Sequence, residues 1–101
     1  MIRILVITKP DCVACSIVKK VILEAINNIN CDITFSTITS NEALKENLKI
    51  DIHPTTIFYR KSKTIEEKAY GAYKEIARLE GSFPIDYLNK VIDKLKIECN
   101  E

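Results

Sequence analysis

Residues 2 to 7, Ile-Arg-Ile-Leu-Val-Ile, form a nearly unbroken apolar run rich in β-branched side chains, and soon after it the pattern changes period. Beyond the break at Lys9-Pro10, Ile17/Val18, Val21/Ile22, Ala25/Ile26 and Ile29 recur every three to four residues, with Lys19, Lys20, Glu24 and Asn27 between them. The short run reads as a strand buried on both faces, and the periodic stretch from Val13 as a helix of about four turns with one wide buried face. A strand feeding directly into a helix is the first half of a crossover between parallel strands. It commits the chain to a sheet covered by helices.

The remaining elements extend that pattern. In Cys-Asp-Ile-Thr-Phe-Ser-Thr-Ile, residues 31–38, Ile33, Phe35 and Thr37 alternate with Thr34, Ser36 and Ile38, which predicts a second strand. Thr39 stands three residues before Glu42, a capping-box spacing, and Leu44 and Leu48 lie at i, i+4, so a short helix is expected next. Residues 55–59, Thr-Thr-Ile-Phe-Tyr, predict a third strand, and 75–81 a fourth that Gly81 stops. Leu88, Val91, Ile92 and Leu95 line one face of a final helix, with Pro84 in its first turn and Ser82 near its cap. Residues 61–74 are long for a hairpin loop, and an inserted helical turn and a lengthened hairpin both fit them. With 101 residues, 47% hydrophobic, and no repeat or linker, a single domain spanning 1–101 is expected.

Charge narrows the function classes. Lys+Arg 15 against Asp+Glu 14 gives a net charge of +1, and the basic residues are scattered, so neither nucleic acid nor an anionic membrane is expected as a partner. The N-terminal apolar run is interrupted by Arg3 and has no small-residue cleavage site behind it, so it reads as neither a signal peptide nor a membrane span. A cytoplasmic location is therefore expected. In that reducing setting, four cysteines argue for chemistry or metal more than for stapling.

Cys12 and Cys15 fall where the first strand hands over to the first helix. The first amides of a helix have no internal partners and its dipole is positive there, so a Cys12 thiolate would be stabilised and its pKa lowered from about 8.5. Cys15, one turn further in, can reach the same sulfur and begins the face that packs on the sheet. Attack by Cys12 on a disulfide followed by resolution by Cys15 is the corresponding redox reading. Half of a metal site and a pair of small buried side chains are the alternatives. The position between strand and helix favours the redox couple.

Thr-Lys-Pro-Asp-Cys-Val-Ala-Cys, residues 8–15, resembles the active-site loop of the thioredoxin-like superfamily, and in its Thr-Lys-Pro-x-Cys-x-x-Cys form is most similar to glutaredoxins and small glutaredoxin-like electron donors. His-Pro-Thr-Thr-Ile-Phe-Tyr, residues 53–59, resembles the segment in which a cis-proline opens the third strand of these proteins. The resemblance implies a thioredoxin-like three-layer α/β/α sandwich with a four-stranded mixed sheet and the order β-α-β-α-β-β-α. It implies Cys12 as nucleophile, Cys15 as resolving thiol, and His53, Pro54 and Thr55 beside a bound substrate strand, with Pro54 cis. The expected activity is reduction or exchange of protein disulfides by a monomer that needs no cofactor beyond its redox-active Cys12–Cys15 disulfide, binds no metal and is recycled by a reductase or by glutathione. A non-catalytic binding module on the same fold, or a metal-binding domain, are the alternatives.

Several positions depart from the family. Asp11 stands where thioredoxins usually carry Trp, Val13-Ala14 replaces Gly-Pro, and Val6 occupies the position of a buried Asp, so a proton acceptor for Cys15 must come from elsewhere or be missing. One Gly and a distant Asp86 replace the Gly-Gly and Asp with which glutaredoxins hold glutathione. His53 is the only histidine; near Cys12 it would stabilise a thiolate, and otherwise it is an idle loop residue. Asp11 is expected to turn outward. Cys31 reads as a small buried residue and Cys99 as an exposed thiol. Cys12, Cys15 and Cys31 with His53 or Cys99 have zinc-ligand chemistry but lack a second close-spaced pair.

Overall fold

A computed structural model describes residues 1–27, 29–45, 48, 50, 52–69 and 71–99, with Lys45 and Cys99 described for the backbone only. The elements run β1 (Ile2–Thr8), α1 (Val13–Ile26), β2 (Ile33–Thr39), α2 (Ser40–Lys45), β3 (Thr55–Lys61), α3 (Ile65–Lys68), β4 (Tyr73–Glu80) and α4 (Ile85–Cys99). They build a four-stranded mixed sheet in the order β2-β1-β3-β4. β1 pairs in parallel with β2 and antiparallel with β3, and β3 pairs antiparallel with β4, with a register shift between Phe58 and Tyr59.

The continuous apolar run of β1 has a direct cause, since this central strand is buried on both sides. Ile2, Ile4 and Val6 join Phe58, Val18 and Ile22 of α1, and Leu88, Ile92 and Leu95 of α4 in the larger core. Leu5 and Ile7 point the other way and pack with Ile57 and with Ala43 of α2. Alternating side chains thus feed two helical layers.

Within α1 the buried stripe is Cys15, Val18 and Ile22. Ile17, expected on that face, is 58% exposed instead, because a helix with one sheet-facing side must choose between adjacent positions and Val18 took the inner one. The helix ends at Ile26 with Asn27 as its C-cap, in a stretch where asparagines favour turns over helix. Ile29 lies beyond the helix yet packs against the core. The capping box that opens α2 forms in both directions. Thr39 N–H donates to Glu42 Oε1 at 3.3 Å, and Glu42 N–H donates to Thr39 Oγ1 at 3.3 Å. Leu44, expected inward, is 74% exposed, while Ala43 is buried and Leu48 packs partly buried against the second cluster. The rest of the segment expected to continue this helix, residues 46, 47 and 49, lies outside the described residues.

The stretch between β3 and β4 is an inserted helical turn on a lengthened hairpin. Thr64 caps α3 by accepting from Glu67 N–H at 3.1 Å. Arg60 on β3 donates to Glu67 and also pairs with Glu98 on α4 at 3.3 Å, so three elements meet on one guanidinium. Ser62 is buried, and its hydroxyl donates to Gly71 O at 2.8 Å, closing the insertion on itself. At the far end of the sheet, Pro84 caps α4, and is not in its first turn, since its carbonyl accepts from Tyr87 N–H at 3.0 Å.

The hydrogen bond from Arg60, with the Lys63 backbone N–H, lowers the Glu67 pKa to about 2. A carboxylate with a depressed folded-state pKa contributes stability that is present above its ordinary pKa of 4.5 and is lost as pH falls toward 2. In urea titrations Glu67→Gln should therefore be less stable than the wild type at pH 7, with the gap closing between those two values. Solvent screening keeps the effect small. A gap that stays constant down to pH 2 would show that the Glu67 charge contributes nothing.

Candidate active site

The loop between β1 and α1 carries the dithiol, and its shape follows from two residues. Pro10 breaks the strand, and Asp11 adopts φ +58, a left-handed conformation that Asp tolerates better than most non-glycine residues. Asp11 is exposed. The turn leaves Cys12 extended, at φ −96 and ψ 102, as the N-cap of α1. Its Sγ accepts the Cys15 backbone N–H at 3.1 Å, so sulfur takes the place that a hydroxyl or carboxylate oxygen has in most caps.

Cys12 and Cys15 are joined as a disulfide with 5.2 Å between their Cα atoms. Cys12 is half-buried and Cys15 is 3% exposed. The first turn of α1 carries no acidic residue, so the positive end of the helix dipole is not offset from within the helix.

Over the disulfide lies a cavity of about 480 Å³ lined by both cysteines, Thr8, Lys9, Asp11, Val13, Ser16 and Lys19. Two lysines against one aspartate make the mouth cationic. Ser16 and Lys19 line this cavity beside the cysteines and were not singled out by the sequence reading. Their signal was there, because Cys12, Ser16 and Lys19 stand at i, i+4 and i+7 along one helical face.

The β1/β3 register brings the second segment to the same end of the sheet. Ile7 pairs with Thr55, which places Pro54 beside Thr8, at the base of the cysteine loop. The His53–Pro54 peptide is cis. Thr55 is 1% exposed and its hydroxyl donates to Ile52 O, tying the turn. Gly81, at φ +70, donates its N–H to Pro54 O at 2.6 Å, and a Cβ there would stand 3.4 Å from Ile52 Cγ2. A side chain at the end of β4 would therefore be strained in the conformation that holds this loop.

His53 is half-buried, its Nε2 is buried without a hydrogen-bond partner, and it does not line the cavity over the disulfide. Its backbone N–H and C=O make no hydrogen bond among the described residues. Cys31, expected to be a small buried residue, is half-buried and held in a disulfide. The expectation for the Cys99 thiol lies outside what is described. Among the described residues no group of three His, Cys, Asp or Glu is placed to hold a metal ion.

No protein-family model and no curated protein matches the chain. Solved structures do match in shape. Thioredoxin O2 from Arabidopsis thaliana in its oxidised state superposes with a TM-score of 0.66 over 95% of this chain and 76% of its own, at 22% identity. A thioredoxin from Trichomonas vaginalis gives 0.67 over 93% of this chain and 78% of its own, at 14% identity. One from Thermus thermophilus gives 0.63 over 99% of this chain and 79% of its own, at 15% identity. The chain has the thioredoxin-like fold, with α3 inserted between the last two strands.

Proposed function

We propose that this thioredoxin-fold chain is a thiol–disulfide oxidoreductase that reduces protein disulfides with the Cys12–Cys15 couple. The observation that carries the reading is the cap: the first-turn N–H of Cys15 points at Cys12 Sγ at the positive end of α1, whose first turn carries no acidic residue. A sulfur so placed is favoured as thiolate and becomes a nucleophile near neutral pH.

In the forward reaction Cys12 Sγ⁻ attacks one sulfur of a substrate disulfide. The Cys12–substrate S–S bond forms, the substrate S–S bond breaks, and the departing thiolate takes a proton from water. Cys15 then loses its proton and attacks Cys12 Sγ, expelling the second substrate thiolate and closing the Cys12–Cys15 disulfide. Two electrons pass from the dithiol to the substrate. A recycling reductase or glutathione returns two electrons, so the protein needs no resident cofactor. We place this work in the cytoplasm, where the flow of electrons favours reduction.

The unpaired backbone of His53 beside Pro54, which has no N–H, suits an extended substrate segment that pairs through main-chain hydrogen bonds. Thr55 and Gly81 serve by holding that loop. Val13 and Ile17, 75% and 58% exposed at i, i+4, offer apolar contact next to Cys12, while Lys9 and Lys19 favour substrates with acidic flanks. With dithiothreitol as electron source, substoichiometric protein should accelerate the reduction of insulin disulfides. A rate no faster than dithiothreitol alone would overturn the reading in favour of a binding module.

A further inference from the structure

Among the buried hydroxyls of the described residues, one has no explanation within the fold. Thr55 and Ser62 are buried and hydrogen-bonded, but Thr56 is 0% exposed and its Oγ1 meets no partner. A buried hydroxyl with no hydrogen bond is costly, and at this position a valine would have fitted the strand at least as well.

Its location follows from register. Thr56 pairs directly with Val6 across β1 and β3, so the two side chains share a face of the sheet. Val6 packs in the cluster that holds Val18 and Ile22, so that face is the one α1 covers. Since α1 returns antiparallel to β1, its start overlies the strand's C-terminal end, where Val6 and Thr56 lie. The residue of the buried α1 stripe at that level is Cys15. Cys15 is 3% exposed yet belongs to neither apolar cluster, as expected of a residue whose floor is partly polar.

We infer that Thr56 is a positioning residue for the resolving cysteine: its hydroxyl is the hydrogen-bond partner of Cys15 Sγ in the dithiol state. When the Cys12–Cys15 bond takes up two electrons, Cys15 becomes a buried thiol or thiolate that needs a partner, and Thr56 Oγ1 needs one already. It accepts from the Cys15 S–H and, once that proton has left to solvent, donates its O–H to the thiolate. No proton is transferred to Thr56. The hydroxyl without a partner in the oxidised protein gains one on reduction, which stabilises the dithiol relative to the disulfide.

The inference rests on Cys12 and Cys15 acting as a reversible couple. Thr56→Val removes the hydroxyl at constant shape, and Thr56→Ser keeps it. At equilibrium with dithiothreitol, Thr56→Val should shift the couple toward the disulfide by roughly three- to tenfold, and raise the thiol pKa of Cys15 measured in a Cys12→Ser background. Thr56→Ser should stay close to the wild type in both. The urea midpoint of Thr56→Val should rise relative to the wild type when oxidised and fall when reduced, a difference that plain packing would not produce. Equal midpoint shifts in both states, or a couple unchanged by Thr56→Val, would overturn the role of Thr56. Should that variant not fold, Thr56→Ala against Thr56→Ser makes the same comparison, and equal couples in the two would overturn it. Failure of the wild type to equilibrate with dithiothreitol would instead sink the couple itself.

Discussion

Cys12→Ser is expected to bring insulin reduction down to the dithiothreitol background, a loss on the order of a thousandfold or more in the protein-dependent rate. The serine hydroxyl can occupy the N-cap of α1 and accept the Cys15 N–H as well as sulfur does, so the fold should hold. What it lacks is an anion at neutral pH and the intrinsic reactivity of sulfur. Cys15→Ser leaves the first step intact and removes the second. It should consume one equivalent of substrate and stop as a mixed disulfide on Cys12, visible as a mass increase that dithiothreitol reverses. Steady turnover by Cys15→Ser would take Cys15 out of the resolving step, and residual turnover by Cys12→Ser would move the nucleophile elsewhere.

Phe58→Ala carries the largest expected cost to stability. Phe58 is 0% exposed on β3, opposite Ile4 on one side and Ala77 on the other, and joins the core shared by α1 and α4. Removing a buried ring leaves a cavity that a sheet held by strands on both sides closes poorly, for a loss of about 3–5 kcal/mol. Domains of this size have roughly 5–15 kcal/mol in all, so the variant should sit near the edge of folding. Leu44→Ala, at a side chain 74% exposed, should change unfolding by no more than about 0.5 kcal/mol. Urea titration of both decides the matter, and similar losses in the two would mean that Phe58 does not anchor the core.

The change of period near Val13 and the alternating strand at Ile33 made the β-α-β-α opening readable, because each pattern spans enough residues to define a face. The same patterns could not choose between adjacent apolar positions. Ile17 against Val18, and Leu44 against Ala43, depend on which side of the helix meets the sheet, and in α2 the inward position took the smaller side chain. The insertion resisted reading because α3 has only 4 residues, too few for any period to show. At the site, the spacing of Cys12 and Cys15 together with Pro54 carried most of the information. Gly81 was read as a stop and not as a clasp, since its contact with Pro54 joins residues remote in sequence. Thr56 gave no signal at all. In Thr-Thr-Ile-Phe-Tyr a hydroxyl is an ordinary strand residue, and only packing distinguishes one that is bonded from one that is not. The disulfide at Cys31 was hidden for a similar reason, as spacing says nothing about which thiols the fold brings together.

β3 runs from the Pro54 loop at one end to Lys61 and the α3 insertion at the other, a separation of about 20 Å for a strand of 7 residues. The ion pairs of Arg60 with Glu67 and Glu98 bind the insertion to the body of the molecule without passing near the dithiol. Chemistry and anchorage thus occupy opposite poles of one strand. That polarity makes the exposed face of α3 the natural handle on this protein: a fluorophore, an affinity tag or a surface tether attached at Ile65, which is 88% exposed, leaves the cysteine end pointing away from the attachment.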